Sequence, residues 1–406
     1  MDAPSPPATP RPATTGEVFR AFLLLGLTSF GGPIAHLGYF RDEFVSRRRW
    51  IDERSYADLV ALCQFLPGPA SSQVGLGIGL IKAGVPGALA AWAGFTLPSA
   101  LAMVAFAYGV EHYQEMLGGG FLHGLKVVAV AVVAQAVWNM ARTLCPDRER
   151  FSLAVAATLL ALAVPTALGQ IGAILAGGLA GWRLLKPPET RGHGEMGVPL
   201  GRGFATANLI AFFLLLGGLP LLAQGTGNPL LAVFDSFYRT GSLVFGGGHV
   251  MLPLLQSQVV PPGWVSADEF LAGYGAAQAI PGPLFTFAAY LGALMDPVGA
   301  GWQGALVGLL AIFLPSFLLV FGVMPFWDRL RRTRQIQSAL EGVNAAVVGL
   351  LLAALYHPVW TSAIRSPADF GLGLAAFSLL AFWKLPPWLV VLLTAMGGGA
   401  MAAMRG

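Results

Sequence analysis

The chain reads as an all-α polytopic membrane protein, an inverted-topology repeat of two homologous helical halves whose helices are broken by Gly and Pro or re-entrant. Three observations predict this: a composition poor in charge, apolar runs of membrane-spanning length, and an internal repeat whose positive charge changes side. Hydrophobic residues fill 55% of the 406 positions and charged residues 11%, against roughly 25% in a soluble domain. The 24 basic and 20 acidic residues are too few to clothe a soluble core, and the mean hydropathy of +0.67 agrees. Runs at 86–110, 204–223, 301–325 and 387–404 have the ~20 residues a helix needs to cross ~30 Å of hydrocarbon.

Met1 to Gly16 is Pro-rich and polar, without the basic and apolar regions of a cleavable signal, and is expected to be a disordered tail. Cys63 and Cys145 stand outside any CxxC or Cys/His cluster, so no metal or cofactor is expected and both read as buried apolar thiols. The net charge of +4 is explained by membrane topology rather than by nucleic acid.

The repeat has a period of about 215 residues, the size of half a transporter. Phe19 answers to Phe234, Gly26 to Gly241, and Phe30, Gly31 and Gly32 to Phe245, Gly246 and Gly247 in one register. After a one-residue slip Trp50 answers to Trp264, Gln64 to Gln278, and Pro67, Gly68 and Pro69 to Pro281, Gly282 and Pro283. Further on, Leu97, Pro98 and Ser99 meet Leu314, Pro315 and Ser316, and Gly124 meets Gly342. Arginine is distributed oppositely in the two halves. Arg41 and Arg47 to Arg49 follow the first FGG segment, while Leu252 to Gly263 has no basic residue; Arg329, Arg331, Arg332 and Arg334 follow the second LPS helix, while Glu111 to Gly118 carries Glu111 and Glu115 and no Lys or Arg. Since basic loops stay cytoplasmic, opposite bias implies opposite orientation, with two parallel repeats as the alternative. The expected organisation is a first repeat at 17–184, a cytoplasmic loop at 185–203 that carries Arg191, a connecting helix at 204–223 whose single crossing turns the second unit over, and the inverted repeat at 224–406. Hydrophobic lengths give about ten crossings.

Each half carries two helix-breaking sites within apolar sequence, the FGG segments and the PGP segments. Pro removes an N–H and paired Gly admits non-helical backbone, and in hydrocarbon the freed groups must face protein or a water-filled cavity. The expectation is that half-helices begin here and aim N–H groups and positive dipole ends at an anion. A dianion would be ringed by the amides following Gly31, Gly246, Gly68 and Gly282. Neutral side chains nearby suit an oxyanion: Ser29, Phe30, Gly32, Gln64, Pro67, Ser71, Ser72 and Gln73 in the first half, and Phe245, Gly247, Gln278, Pro281 and Thr286 in the second. Candidates for charge or proton coupling are His36, Lys82, Lys126, His249 and Glu341, with His123 beside them. Each competes with a plainer role, as hydrogen-bonded packing histidine, snorkelling lysine or, for Glu341 at the head of the helix after the Arg329 to Arg334 cluster, interfacial ion pair. Arg47 to Arg49 with Trp50 reads as a headgroup anchor before it reads as an anion vestibule. Asp52, Glu53 and Asp58 open a short amphipathic helix that leads to Pro67.

The stretch from Gly26 through Phe30, Gly31, Gly32 and Pro33, then Arg47 to Trp50, to Gln64, Pro67, Gly68 and Pro69 closely resembles the chromate ion transporter family; Phe245 to Gly248 and Gln278 to Pro283 resemble its C-terminal half. The resemblance implies a multi-pass protein of the bacterial inner (cytoplasmic) membrane, with two homologous halves in opposite orientation, that exports chromate, confers resistance and admits sulfate as competitor. The partners expected are the chromate or sulfate-like anion and the lipid bilayer; a homodimer is allowed, and no nucleic acid is expected. Oxyanion or sulfate uptake and an anion channel are the alternatives. An embedded enzyme fits less well, because no HExxH motif, clustered acidic pair or Ser/His/Asp set occurs in plausible register.

Overall fold

The computed structural model describes residues 13–186, 200–295, 300–330 and 333–405, and every regular element among them is helical. Most of the expected tail, Arg191 within the expected loop, and Arg331 and Arg332 lie outside the described residues, as do the side chains of Glu111 and Glu115.

Helix α1 (Thr15–Thr28) opens with a capping box: the Thr14 side chain accepts from the Glu17 N–H, and the Glu17 carboxylate accepts from the Thr14 N–H. Two left-handed glycines separate it from α2 (Gly32–Arg41), which continues into a π-turn, Asp42–Arg47. Glu43 is buried and pairs with Arg47 and Arg48, and the Arg48 guanidinium lies 5.2 Å over the Trp50 ring. Two of the three consecutive arginines thus share one carboxylate. α3 (Glu53–Phe65) is capped by Asp52, whose carboxylate accepts from the Ser55 hydroxyl and from the Arg54 and Ser55 amides. These bonds, the Ser55 hydroxyl first, hold its pKa below the usual carboxylate range.

α4 (Ala70–Gly109) is 40 residues long. A straight helix of that length would reach about 60 Å, twice the hydrocarbon thickness of about 30 Å. Gly84 resolves the mismatch. It adopts φ +65, and Gly79 and Gly87 pack so closely that a Cβ on either would strike the other's carbonyl oxygen. In a straight helix those residues stand about 12 Å apart, so the segment folds back as a hairpin. The second half uses the same contact, with Gly292 of α12 (Phe287–Leu294) against the Gly304 carbonyl of α13 (Trp302–Val323). Glycine also lets α1 lie on the outgoing arm of α4, where a Cβ on Gly26 would sit 2.6 Å from the Gly94 oxygen. α9 (Pro229–Leu243) lies likewise on α13 through Gly241 and the Ile312 carbonyl. In lipid, helix association depends on such close backbone packing, because burial against apolar tails offers little gain.

The remaining elements are α5 (Gly119–Leu144), α6 (Arg148–Ala163), α7 (Ala167–Leu184), α8 (Arg202–Thr226), α10 (Met251–Val259), α11 (Ala267–Ala277), α14 (Arg334–Ala354), α15 (Pro367–Ala381) and α16 (Pro387–Arg405). Residues 204–223 fall within α8, whose most apolar window is only 17% buried and which presents Phe213, Leu214 and Leu221 outward. The spans that begin at Trp302 and Arg334 are 67% buried and form the interior. The chain is a multi-pass membrane protein. Among the described residues six helices are long and apolar enough to cross a bilayer, fewer than the ten crossings counted from hydrophobic length. Breaks cut several apolar stretches into helices too short to span, Leu284–Leu294 and Pro367–Ala381 among them.

Gly292→Leu should lower the thermal unfolding midpoint of detergent-purified protein, at a cost of about 1–3 kcal/mol for overpacking. Gly217→Leu, on α8 with nothing within 4 Å of a built Cβ, should leave the midpoint unchanged.

Candidate functional site

The four breaks converge, and each contact among them joins the two halves. The Gly68 amide donates to the Val244 carbonyl at 2.7 Å, and the Gly282 amide donates to the Ser29 carbonyl at 3.0 Å. Val244 and Ser29 are the residues before the two FGG segments, so each PGP break is satisfied by the other half's FGG break. Pro33 and Gly248 close the ring, with a Cβ on Gly248 falling 3.8 Å from Pro33 Cγ. The serines of the two LPS segments seal the PGP glycines crosswise: a Cβ on Gly68 would meet Ser316 Oγ at 2.7 Å, and one on Gly282 would meet Ser99 Oγ at 2.7 Å.

Several donors at this junction have no acceptor among the described residues. Gly32 and Gly247 have positive φ (76 and 140) and nothing within 4 Å of a built Cβ. Their amides, which follow Gly31 and Gly246, donate to no carbonyl among the described residues. The expected amides following Gly68 and Gly282 do not exist, because those residues are Pro69 and Pro283 and proline has no N–H. Helix α4 begins after Pro69 instead, and its first intrahelical bond is Gln73 N–H to Pro69 O. That leaves the N–H groups of Ala70, Ser71 and Ser72 at the positive end of the dipole. After Pro283 the chain makes a single 3₁₀ turn, Leu284–Thr286, before α12.

Buried side-chain atoms at the same place also lack partners among the described residues: Ser29 Oγ, Ser72 Oγ, Gln73 Oε1, Thr96 Oγ1 and Gln278 Nε2. An unpaired buried polar atom costs about 1–3 kcal/mol, and here several gather at one junction. His36 is fully engaged. Its Nε2 lies 3.2 Å from the Ser29 carbonyl and its Nδ1 3.3 Å from Ser71 Oγ. A carbonyl only accepts, so Nε2 carries the proton and Nδ1 accepts from the Ser71 hydroxyl. The Ser29 carbonyl thus receives both the Gly282 amide and His36.

Other expected residues lie apart. Gln64 is exposed at the end of α3. The Phe30 ring turns to Trp388 at 6.5 Å, and Phe245 packs on the main apolar core. The Pro67 carbonyl accepts from Gln73 Nε2, and the Thr286 hydroxyl is spent on the Pro283 carbonyl beyond Pro281. His249 bonds the buried Tyr274 hydroxyl at 2.7 Å. Lys82 sits beside the Gly84 turn of the hairpin. Glu341 does not head its helix: α14 starts at Arg334, which places Glu341 in the third turn, where it pairs with Arg150 of α6. Lys126 and His123 pair with Asp268 and Asp369. Sequence reading passed over Thr96, Ser99 and Ser316, although the recurrence of LPS in both halves was a signal for them.

The chain matches the family described as chromate transporter over residues 16–182 and 231–399. It is 30% identical to a chromate transport protein of Pseudomonas aeruginosa, over 96% of this chain and 92% of that one. It is 27% identical to a chromate transport protein of Cupriavidus metallidurans over 96% of each. An uncharacterized transporter of Bacillus subtilis, YwrA, is 28% identical over 172 residues, which are 94% of its length and 41% of this chain. No solved structure matches the chain.

Gly282→Ala forces a left-handed alanine against Ser99 Oγ, whereas Gly32→Ala meets open space and bears backbone strain alone. Thermal unfolding should therefore show a larger loss for Gly282→Ala, on the order of 1–3 kcal/mol, than for Gly32→Ala. Equal losses would refute the reciprocal junction.

Proposed function

As this chain belongs to the chromate transporter family, we propose that it exports chromate across a bacterial inner membrane and binds the dianion where its four helix breaks meet. The observation that carries this reading is the coincidence of unpartnered amides and buried hydroxyls with the inter-half junction. Amides at a helix start hold an anion without a fixed positive charge, and this environment offers the anion a substitute for the water it loses. Ser72 and Thr96 add hydroxyl donors to the Gly32, Gly247, Ser71 and Ser72 amides. A tetrahedral dianion has lone pairs in every direction and suits donors that converge from several elements. Sulfate shares that shape and charge and competes.

In this reading the halves are inverted copies, as the opposed arginine bias and the crosswise PGP to FGG bonds support. Alternating access then follows from one assembly rocking against the other about the junction. The two PGP to FGG bonds are backbone-mediated, so rocking exchanges them without disturbing either hairpin. Export of a dianion gains from an inside-negative potential, about 4.6 kcal/mol at 100 mV. His36, neutral and bonded on both nitrogens, positions the Ser29 carbonyl and the Ser71 hydroxyl and carries no substrate proton.

Inside-out vesicles from cells that make the protein should accumulate chromate, faster with a lumen-positive potential and more slowly with excess sulfate. Gly32→Val and Gly247→Val, which fill the open space, should reduce accumulation more than about tenfold, a loss of at least 1.4 kcal/mol in binding, at normal protein levels. Accumulation at the wild-type rate in either variant would place the anion elsewhere.

A further inference from the structure

A second polar region lies at the other end of α11, away from the breaks. Two adjoining cavities of about 580 and 650 Å³ share Gly119, His123, Lys126 and Asp268 in their linings. Lys126 on α5 is 5% exposed, and its ammonium lies 2.9 Å from the carboxylate of Asp268, in the first turn of α11. Arg365 reaches the same carboxylate at 3.9 Å. One turn before Lys126, His123 Nε2 lies 3.0 Å from Asp369, which also accepts from the Arg365 amide. Asp369 stands in the first turn of α15. The N-terminal turns of α11 and α15, capped by Ser266 and Ser366, thus border cavities that already hold Lys126, Arg365 and His123. Dipole ends and cations together make an anion site, and in this structure two of the protein's own carboxylates fill it. Glu269, the remaining acid of the lining, is spent on capping Ser266.

The two aspartates are held differently. Asp369 is 1% exposed and tied by a histidine and a backbone amide, so it is a fixed element. Asp268 has a side chain 59% exposed, while the Lys126 side chain is 7% exposed. Swinging the carboxylate into water costs Asp268 little, but it leaves a buried ammonium without a counter-charge, which is the costly half of a broken ion pair. A dianion entering the cavity supplies that counter-charge. From here α11 leads straight to Gln278 and the second PGP break, about 15 Å away at the helical rise. The backbone contact of Gly275 with Leu125 keeps α11 against α5 along that path. At the repeat-related positions, by the registers of Gln64 with Gln278 and Gly124 with Gly342, stand Arg54 in the first half and Asn344 in the second, so the pair occurs at one end only.

We propose that this cavity, which by the arginine bias opens on the non-cytoplasmic side, is an oxyanion release vestibule: the dianion reaches Lys126 from the junction along α11, and Asp268, a built-in competitor for the same ammonium, displaces it. This inference rests on the transport reading. It predicts opposite effects from the two partners of one ion pair. In right-side-out proteoliposomes, which present the non-cytoplasmic face to added chromate, Asp268→Asn should lower the KM roughly threefold, the scale of a half-exposed pair, and Asp268→Ser should do the same. Lys126→Gln should raise KM about tenfold, and Lys126→Arg should stay near wild type. A pair that merely braces α5 against α11 would move both KM values in the same direction. Shared direction, or no shift in either partner, overturns the vestibule while wild-type flux upholds transport. Wild-type liposomes that carry no chromate overturn the transport reading and the vestibule with it.

Discussion

Backbone polar groups cannot be abandoned inside a bilayer, where each unsatisfied one costs several kcal/mol, and this constraint governs the centre of the molecule. The chain breaks its helices at four places and settles the debt by exchange: Gly68 N–H finds Val244 O, and Gly282 N–H finds Ser29 O. In both bonds donor and acceptor come from different halves. The glycines are needed for their conformations as well as their size, since Gly31, Gly32, Gly68, Gly246, Gly247 and Gly282 all have positive φ. Amides beyond those of the junction bonds remain at Gly32, Gly247 and the start of α4 among the described residues, and the proposed anion site rests on them.

Around the junction, contact rather than charge holds the helices. The hairpins fold on Gly79 with Gly87 and on Gly292 with Gly304, and α1 and α9 lie against them through Gly26 and Gly241. The ion pairs fall mainly at helix ends, as with Glu43 and its two arginines or Lys126 and Asp268. Arg150 with Glu341 joins α6 to α14. Side-chain bonds such as Gln170 to the Pro253 carbonyl and close glycine contacts such as Gly177 with Gly342 also join the two halves.

Much of this was legible in the sequence, for identifiable reasons. Helical class and membrane embedding follow from composition and hydrophobic length, which are additive properties of local sequence. The FGG and PGP breaks show themselves because proline and paired glycine are local signals. The fold-back at Gly84 was not legible, since a lone glycine in a 40-residue apolar helix looks like many packing glycines. Nor was the crosswise pairing, which depends on tertiary contact. The error over the amides after Gly68 and Gly282 came from treating a glycine-rich motif as a donor site without asking which residue bears the next N–H. Gln64 has the right chemistry but ends α3 on its exposed side, and Glu341 was misplaced because its helix starts a full two turns earlier than the charge pattern implies.

The account comes down to a dianion held by backbone and hydroxyl donors at an inter-half junction. An anomalous difference map at the chromium edge, from the purified protein with saturating chromate, tests it most directly. The account predicts a peak between Gly32, Gly247 and the first turn of α4, within hydrogen-bonding reach of Ser72 or Thr96. A peak confined to some other part of the protein, or none there while the same preparation transports chromate, would contradict it.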